Sequence, residues 1–384
     1  MSGEGDARDE RFMRRALQLA RRGEGRVSPN PLVGAVIVRE GRIIGEGYHR
    51  RCGENHAEIN ALAAAREPVA GAAFYITLEP CSHFGRTPPC AQTLIAQHPG
   101  RVVVGTEDPN PLVAGRGIAL LRKAGIPVTT GTLAEECLRL NEIFFKYVQT
   151  GKPFVTLKLA QTLDGRIATA TGDSRWVSSP ASLAFGHRLR RQHDAILVGA
   201  GTVLADDPAL TCRLVRGKNP LRIVVDSRLH TEPTARLFAP TPEAQTIVAT
   251  VRGIAAKRRR LFTAQGVNVW EIGKDAKGHV DLQELLERLG QQEISSLLVE
   301  GGAGVATSLL EAGLADRLVV VLAPKIVGQG LNAIGDLEIK RMTEALLFRF
   351  RQIHRRGEDI ILDVRPLPAT ESGAPPPGCR PGRS

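Results

Sequence analysis

Aromatic side chains are scarce in this 384-residue chain, which has 3 Tyr, 2 Trp and 11 Phe, 4% of its residues. Proteins that hold single-stranded nucleic acid stack bases on aromatic rings, so this composition argues against a nucleic-acid partner. No apolar run approaches the roughly twenty residues that a bilayer span requires, so no membrane partner is expected. The opening residues, Met-Ser-Gly-Glu-Gly-Asp, lack the apolar stretch of a secretory signal. Six cysteines are too few to staple a chain of this length. Together these absences lead us to expect a cytoplasmic protein with free thiols.

What is present looks like an ordinary globular protein, 42% hydrophobic and 24% charged. Its length suggests two or three domains of ~150 residues each. The formal charge is +11. A positive surplus suits either nucleic acid or phosphate-bearing small molecules. The basic residues are scattered apart from Lys257-Arg-Arg-Arg260 and those of the tail, and the first of these groups reads as a solvated helix face.

The most informative stretch is His56-Ala57-Glu58, followed by Pro80-Cys81 and Cys90. Imidazole and thiolate are zinc ligands, and three of them leave a fourth position for water. Zinc makes such a water reactive near neutral pH. Glu58 stands two residues past His56, where it can carry protons without binding the metal. The order matches the zinc nucleobase deaminases, H-x-E and then P-C-x-x-C, except that eight residues separate the two cysteines. Gly85 and Pro88-Pro89 suit a loop that folds back. His83, inside that loop, is a competing ligand. Cys52, Cys137 and Cys212 read as buried neutral residues, and Cys379 has no role.

Periodicity places a helix over residues 9–22 and strands at 33–38 and 42–48. A helix over 54–65 then carries His56 and Glu58 in its first turn. A strand at 74–78 leads to Cys81, and Cys90 opens the next helix. A strand at 102–105, a helix at 117–125, a strand at 128–129 and one long helix at 133–148 follow. Thr150-Gly-Lys-Pro153 is a stop signal, and we expect a domain boundary there, giving domains 1–150 and 151–365 and a disordered tail, 366–384. The second half repeats the alternation, with strands at 154–159, 195–198, 221–225, 246–250, 267–272, 296–299 and 318–322. Its helices fall at 182–192, 282–289 and 305–312. Such alternation indicates α/β layers with largely parallel sheets.

Three features of this half look chemical. Glu300-Gly-Gly-Ala-Gly304 lies between strand and helix, where backbone can approach a phosphate. Thr202–Arg213 is a polar loop after a buried strand, the usual side for ligands in open α/β sheets. Lys158 interrupts an apolar strand, which costs energy unless it is paired or faces a site. Each is also compatible with a purely structural role, as is Trp176 with a place in the core.

Ser28–Val38, His56-Ala-Glu58 and Pro80–Cys90 resemble the deaminase half of the bifunctional riboflavin-biosynthesis deaminase–reductases. Leu157–Gly165, Thr202–Arg213 and Glu300-Gly-Gly302 resemble the reductase half, and the resemblance spans roughly residues 9–365. It implies a cytidine-deaminase-like α/β/α domain followed by a dihydrofolate-reductase-like α/β domain. It also implies hydrolytic loss of an amine from a phosphorylated ribosylaminopyrimidine, then NADPH reduction of the ribosyl group to ribityl.

On this resemblance His56, Cys81 and Cys90 hold zinc and Glu58 is catalytic. Ala160, Trp176, Thr202, Asp206, Ser227, Gly302 and Gly304 contact NADPH, while Ser174, Arg190, Leu210, Arg213 and Glu300 hold the substrate. Asn30 is a candidate for holding the pyrimidine and Lys158 for delivering a proton. A homo-oligomer is expected. Two other readings stay open: a tRNA-type base deaminase with a C-terminal binding module, and a zinc-bearing scaffold without catalysis.

Overall fold

The computed structural model describes residues 2–82, 89–110, 113–239 and 244–367. The chain divides into two compact units, one formed by Met1–Phe154 with Glu287–Ser295, the other by the remainder.

The first unit contains α1 (Ser2–Ala20), β1 (Gly34–Arg39), β2 (Arg42–Tyr48), α2 (Ala57–Ala63), β3 (Ala73–Ile76), α3 (Cys90–Ala96), β4 (Arg101–Val104), α4 (Arg116–Lys123), β5 (Val128–Thr130), α5 (Ala134–Leu140) and α6 (Glu142–Thr150). Its five strands run in the order β2-β1-β3-β4-β5. β1 is antiparallel to both neighbours, while β3, β4 and β5 are parallel. Successive strand residues face opposite sides, and both sides are apolar here. Ala35, Ile37, Phe74, Ile76, Val102 and Val104 pack against Ala57 and Ala61 of α2, Leu94 of α3 and Leu121 of α4. Val36, Val38, Tyr75 and Val103 pack against Phe12, Met13, Ala16 and Leu17 of α1 and Cys137 of α5. The result is the three-layer α/β/α arrangement, with a mixed rather than largely parallel sheet.

Two glycines set the distance between α2 and the sheet. A Cβ on Gly47 would stand 2.2 Å from Ala61 N and 2.3 Å from Ala57 O, and one on Gly45 would stand 2.6 Å from Ala61 O. Backbone therefore lies directly on backbone, just where α2 begins.

Residues 133–148 form two helices instead of one. The break falls at buried Asn141, whose φ of −110° and ψ of 17° leave the helical region. Its amide turns inward, accepting from Leu32 N at 2.8 Å and donating to Leu32 O at 3.0 Å. An Asn that bonds backbone elsewhere competes with the helix it sits in. This one clamps the loop that carries Asn30.

The second part of the chain holds β6 (Phe154–Thr162), β7 (Arg166–Thr169), α7 (Pro180–Gln192), β8 (Ala195–Gly199), α8 (Ala200–Asp206), β9 (Leu221–Val225), β10 (Thr246–Val251), α9 (Ala256–Thr263), β11 (Asn268–Ile272), α10 (Leu282–Gln291), β12 (Ser296–Glu300), α11 (Ala303–Glu311), β13 (Arg317–Ala323), β14 (Gly330–Asn332), β15 (Phe348–Arg356) and β16 (Asp359–Pro366). Nine strands run β11-β10-β9-β8-β12-β6-β13-β16-β15, and β14 pairs with β7 in a small separate sheet. The run from β11 to β12 is parallel, as is β6 with β13, whereas β16 and β15 are antiparallel additions.

Three expectations change here. The polar loop begins as a helix, since α8 takes in Thr202–Asp206. The basic run Lys257–Arg260 lies on α9 but is not merely solvated. Arg258 donates to Leu229 O and Thr231 O at 2.7 Å, and Arg259 pairs with Glu271 at 2.9 Å. The sequence reading also left out β7, β14, β15 and β16; β15 opens on the alternating Phe348-Arg-Phe350-Arg351 but is exposed along almost its whole length.

Gly47→Ala should push α2 off the sheet. We expect it to destabilise the first unit by ~1–3 kcal/mol, the usual cost of overpacking, read from the first transition in chemical denaturation.

Candidate active sites

The first site forms at the start of two helices. His56 is the residue that caps α2, one position ahead of the first turn in which it was expected, and Glu58 lies within that turn. Cys90 is the first residue of α3. His56 Nδ1 lies 3.6 Å from Cys81 Sγ and 3.3 Å from Cys90 Sγ. All three donor atoms fall within 4.8 Å of one another. Zinc bonds of ~2.3 Å to sulfur and ~2.0 Å to nitrogen at a tetrahedral angle put N and S about 3.6 Å apart. The spacing and the donor set both fit the ion. His83 lies outside the described residues.

The electrostatics fit as well. Hydrogen bonding from the Cys90 thiol leads the causes that bring Cys81 down to about 4, opposed by burial. Cys90 rises instead, because the neighbouring Cys81 sulfur and burial disfavour a second thiolate. A dication is the agent that lets both sulfurs ionise. Glu58 is 3% exposed, and burial pushes its carboxyl up to about 6.

Two residues beyond the expected set shape this site. Buried Glu79 spends both carboxylate oxygens on backbone. It accepts from Asp108 N and Ile118 N at 3.2 Å, Gly115 N at 2.9 Å and Gly117 N at 2.8 Å. It thereby ties the Pro80–Cys81 segment to the start of α4, where a Cβ on Gly117 would stand 2.0 Å from Pro80 O. His49 is buried, its ring centroid 5.4 Å from that of His56. Burial lowers its pKa, so the ring is neutral. Its Nδ1 lies 3.1 Å from Asn55 O, a group that only accepts, so Nδ1 carries the proton. Nε2 then accepts from Asn30 Nδ2 at 3.2 Å. That bond uses Asn30 Nδ2 and leaves Asn30 Oδ1 with no donor among the described residues. Neither residue stood out in the sequence, since Glu79 resembles any polar residue before a proline and His49 any residue after a strand.

The second site is a cavity of about 1240 Å³ at the ends of β6, β8, β9 and β12. That exceeds the ~300–1,000 Å³ usual for one small ligand and leaves room for two. Lys158, Ala160, Ser174, Trp176, Arg190, Thr202, Asp206, Leu210, Arg213, Ser227, Glu300, Gly302 and Gly304 all line it. Gly301 and Gly302 have φ of 81° and 80°, which suits glycine, and Thr202 Oγ1 packs against both. They deliver the chain to the start of α11, whose free N–H groups suit a phosphate. Ser174 Oγ donates to Asp206 Oδ1 at 3.1 Å.

The charges here are ordered. Arg190 grips Glu300 through Nε and Nη2, both at 2.8 Å, and donates from Nη1 to Thr211 O at 3.1 Å. Burial would raise the Glu300 carboxyl, but Arg190 and Lys158 outweigh it and hold the group at about 2. Lys158 is lowered, first by burial and also by Arg190, while Glu300 opposes the shift. Arg213 is exposed and has no carboxylate partner among the described residues. Leu210 has a left-handed φ of 52° and a side chain buried in the core, so what it offers a ligand is backbone.

The alternative place for Trp176, in the core, is excluded, because its side chain is 62% exposed on the cavity wall. One expectation fails. Cys52 is exposed, because it sits in a polar turn ahead of α2. Cys137 and Cys212 are buried, and Cys379 lies outside the described residues with the rest of 368–384.

Residues 6–106 match the family of the cytidine and deoxycytidylate deaminase zinc-binding region, and residues 153–362 match the RibD C-terminal domain. A riboflavin biosynthesis protein RibD of Actinobacillus pleuropneumoniae is 46% identical over 354 residues, covering 92% of this chain and 94% of the relative. RibD of Escherichia coli (strain K12) is 43% identical, with 93% and 99% covered. Among solved structures, Acinetobacter baumannii RibD superimposes with a TM-score of 0.84 at 35% identity, covering 94% of this chain and all of that one. The Thermotoga maritima diaminohydroxyphosphoribosylaminopyrimidine deaminase/5-amino-6-(5-phosphoribosylamino)uracil reductase gives 0.82 at 38% identity, with the same coverage. With a zinc-type donor set in one unit and a two-ligand cavity in the other, the chain belongs to the RibD family of bifunctional deaminase–reductases.

Proposed function

We propose that the first unit hydrolyses an exocyclic amine of 2,5-diamino-6-ribosylamino-4(3H)-pyrimidinone 5′-phosphate and that the second reduces the ribosyl chain of the product to ribityl with NADPH. The observation that carries this reading is the presence, in one chain, of a His–Cys–Cys donor set beside a buried carboxylate and of a large cavity lined by cations and a glycine-rich helix start.

In the first reaction His56, Cys81 and Cys90 would hold zinc, which when bound would supply an activated water near neutral pH. Glu58 is the residue that moves protons between water, the ring nitrogen and the departing amine, which leaves as ammonia. A carboxyl held near neutrality by burial is suited to both directions of transfer. Asn30 Oδ1, freed by the bond to His49, accepts from the pyrimidine.

In the second reaction the hydride is the cofactor's contribution. Ala160, Trp176, Thr202, Asp206, Ser227, Gly302 and Gly304 orient the dinucleotide. Ser174, Leu210 and Arg213 hold the ribosyl phosphate. Arg190 holds Glu300 ionised, and the Glu300 charge opposes the lowering that burial imposes on Lys158. Lys158 then delivers the proton that accompanies the hydride. Ligand thiolates and the free cysteines suit a reducing, cytoplasmic setting. Among the described residues no helix is long and apolar enough to cross a membrane.

We further propose a homo-oligomer formed through β15. This outermost strand exposes Phe350 (61%) and Ile353 (60%), an unusual display for a sheet edge in isolation.

Glu58→Gln should cut ammonia release by ~10²-fold or more while zinc content by mass spectrometry stays at the parent level and pre-deaminated substrate is still reduced. Arg213→Ala should do the reverse, leaving ammonia release intact and removing NADPH oxidation. Loss of both steps in either variant would refute the two-site assignment. Lys158→Met should slow NADPH oxidation by ~10²-fold without weakening NADP+ binding. In the parent enzyme that step should fade as pH rises through a value below the usual lysine range, because the donor is the protonated amine. Phe350→Glu combined with Ile353→Glu should lower the mass found by light scattering from an oligomer to one chain; an unchanged mass would exclude β15 as the interface.

A further inference from the structure

One buried imidazole beside the cavity has no part in either reaction described above. His187 lies on α7, one helical turn before Arg190, so the two side chains share a face. The ring is 4% exposed and stands behind the cavity wall. It hydrogen-bonds the backbone of Thr211, and the bond favours the protonated ring, so the Thr211 carbonyl is the acceptor. Nδ1 has no partner among the described residues, so the donor is Nε2.

Thr211 O is therefore shared. Arg190 Nη1 donates to the same carbonyl at 3.1 Å, while Nε and Nη2 grip Glu300. The segment around this carbonyl alternates between cavity and protein. Leu210 and Arg213 line the cavity, whereas Thr211 and Cys212 between them do not. Cys212 is buried, and its N–H donates to Asn219 Oδ1 at 2.7 Å. Leu210 keeps its side chain in the core and has a φ of 52°, a conformation that costs an L-residue energy and persists only where its surroundings impose it. The Thr211 carbonyl is the fixed point between the two cavity residues. Held there, it keeps the left-handed Leu210 backbone and the base of the Arg213 side chain in place on the wall.

Stability alone does not account for an imidazole at this place. A buried acceptor without a donor costs free energy, and an apolar side chain of similar size would avoid that cost. Nor does the ring add an ion pair. Burial, with the Arg190 and Arg213 charges, brings it down to about 4, so it is neutral at physiological pH and offers Glu300 no charge. What an apolar group could not supply is the N–H that meets Thr211. We infer that His187 is a positioning residue of the reductase: together with Arg190 it fixes the Thr211 carbonyl, and through it the Leu210 backbone and the Arg213 guanidinium that hold the ribosyl phosphate.

This rests on the reductase reading above, and the test separates the two. NADPH oxidation by the full-length protein is followed with the pre-deaminated ribosylamino-uracil phosphate as substrate. His187→Leu removes both the N–H and the bare acceptor. Its KM for that substrate should rise about tenfold, the size of one lost hydrogen bond to backbone, while kcat and the calorimetric Kd of NADP+ stay within about twofold. Its melting temperature should not fall. His187→Gln, whose amide nitrogen reaches as far as the imidazole Nε2, should recover most of the loss. His187→Asn, whose amide reaches only as far as Nδ1, should not. If His187→Leu does not fold, the last two variants decide in its place, and equal KM values in them would overturn the assignment. An unchanged KM in His187→Leu, or substrate and NADP+ weakened alike, would also overturn it with the reductase reading intact. A parent protein that oxidises no NADPH with this substrate would overturn both.

Discussion

Buried charge is the constraint that organises both halves of this protein. An ionised group taken out of water is costly unless a partner compensates it. In the second unit the partner is built in. Glu300 sits between Arg190 and Lys158 and stays ionised to about 2 in spite of burial. In the first unit Glu58 and the two thiols crowd the start of α2 and α3, and among the described residues His56 is the group that stands against them. Burial therefore drives Glu58 up and sets the two sulfurs competing for one proton. The local chemistry calls for a divalent cation, and the donor spacing matches one. The same physical rule yields an internally neutralised anion in one case and a metal site in the other.

Holding such groups in place falls to side chains whose polar atoms are spent on backbone. Glu79 gathers four N–H groups behind Cys81, Asn141 clamps Leu32 beside Asn30, and Asp226 folds its own loop beneath Arg228. None of these carries out chemistry in the account above. Each fixes a loop that does, and each is buried or nearly so. Close backbone contact at Gly47 and Gly117 performs the same task by removing the space in which a helix could slide.

This division explains what could be read from the sequence. Zinc chemistry needs particular atoms, so His56, Glu58, Cys81 and Cys90 announce themselves by residue type and order. The β-α alternation is legible because both sheets are covered by apolar helices, and β2 and β9 fall where periodicity puts them. Glu79 and His49 were not legible, because their importance lies in which backbone atoms reach them, a matter of tertiary geometry. β15 escaped because its alternation, Phe348-Arg-Phe350-Arg351, is short and breaks at the irregularity between Phe350 and Gln352. The split at Asn141 escaped because a polar residue in a helical pattern is ordinarily a solvated one.

The charge surplus can now be placed. Many surface cations are neutralised locally, as in Arg15 with Glu46, Arg101 with Asp9 and Lys277 with Glu311. Arg213, Arg228 and Arg236 have no carboxylate partner among the described residues, and all three line the cavity of the second unit. An unpaired guanidinium on a concave surface is held ready for an anion, since focusing of the field in a cleft raises the local concentration of negative ligands. The family's substrate keeps its phosphate through both reactions, and its reductant carries three more phosphate groups. Part of the positive balance that in the sequence left nucleic acid and small phosphates both open lies in the cleft where two phosphorylated small molecules meet.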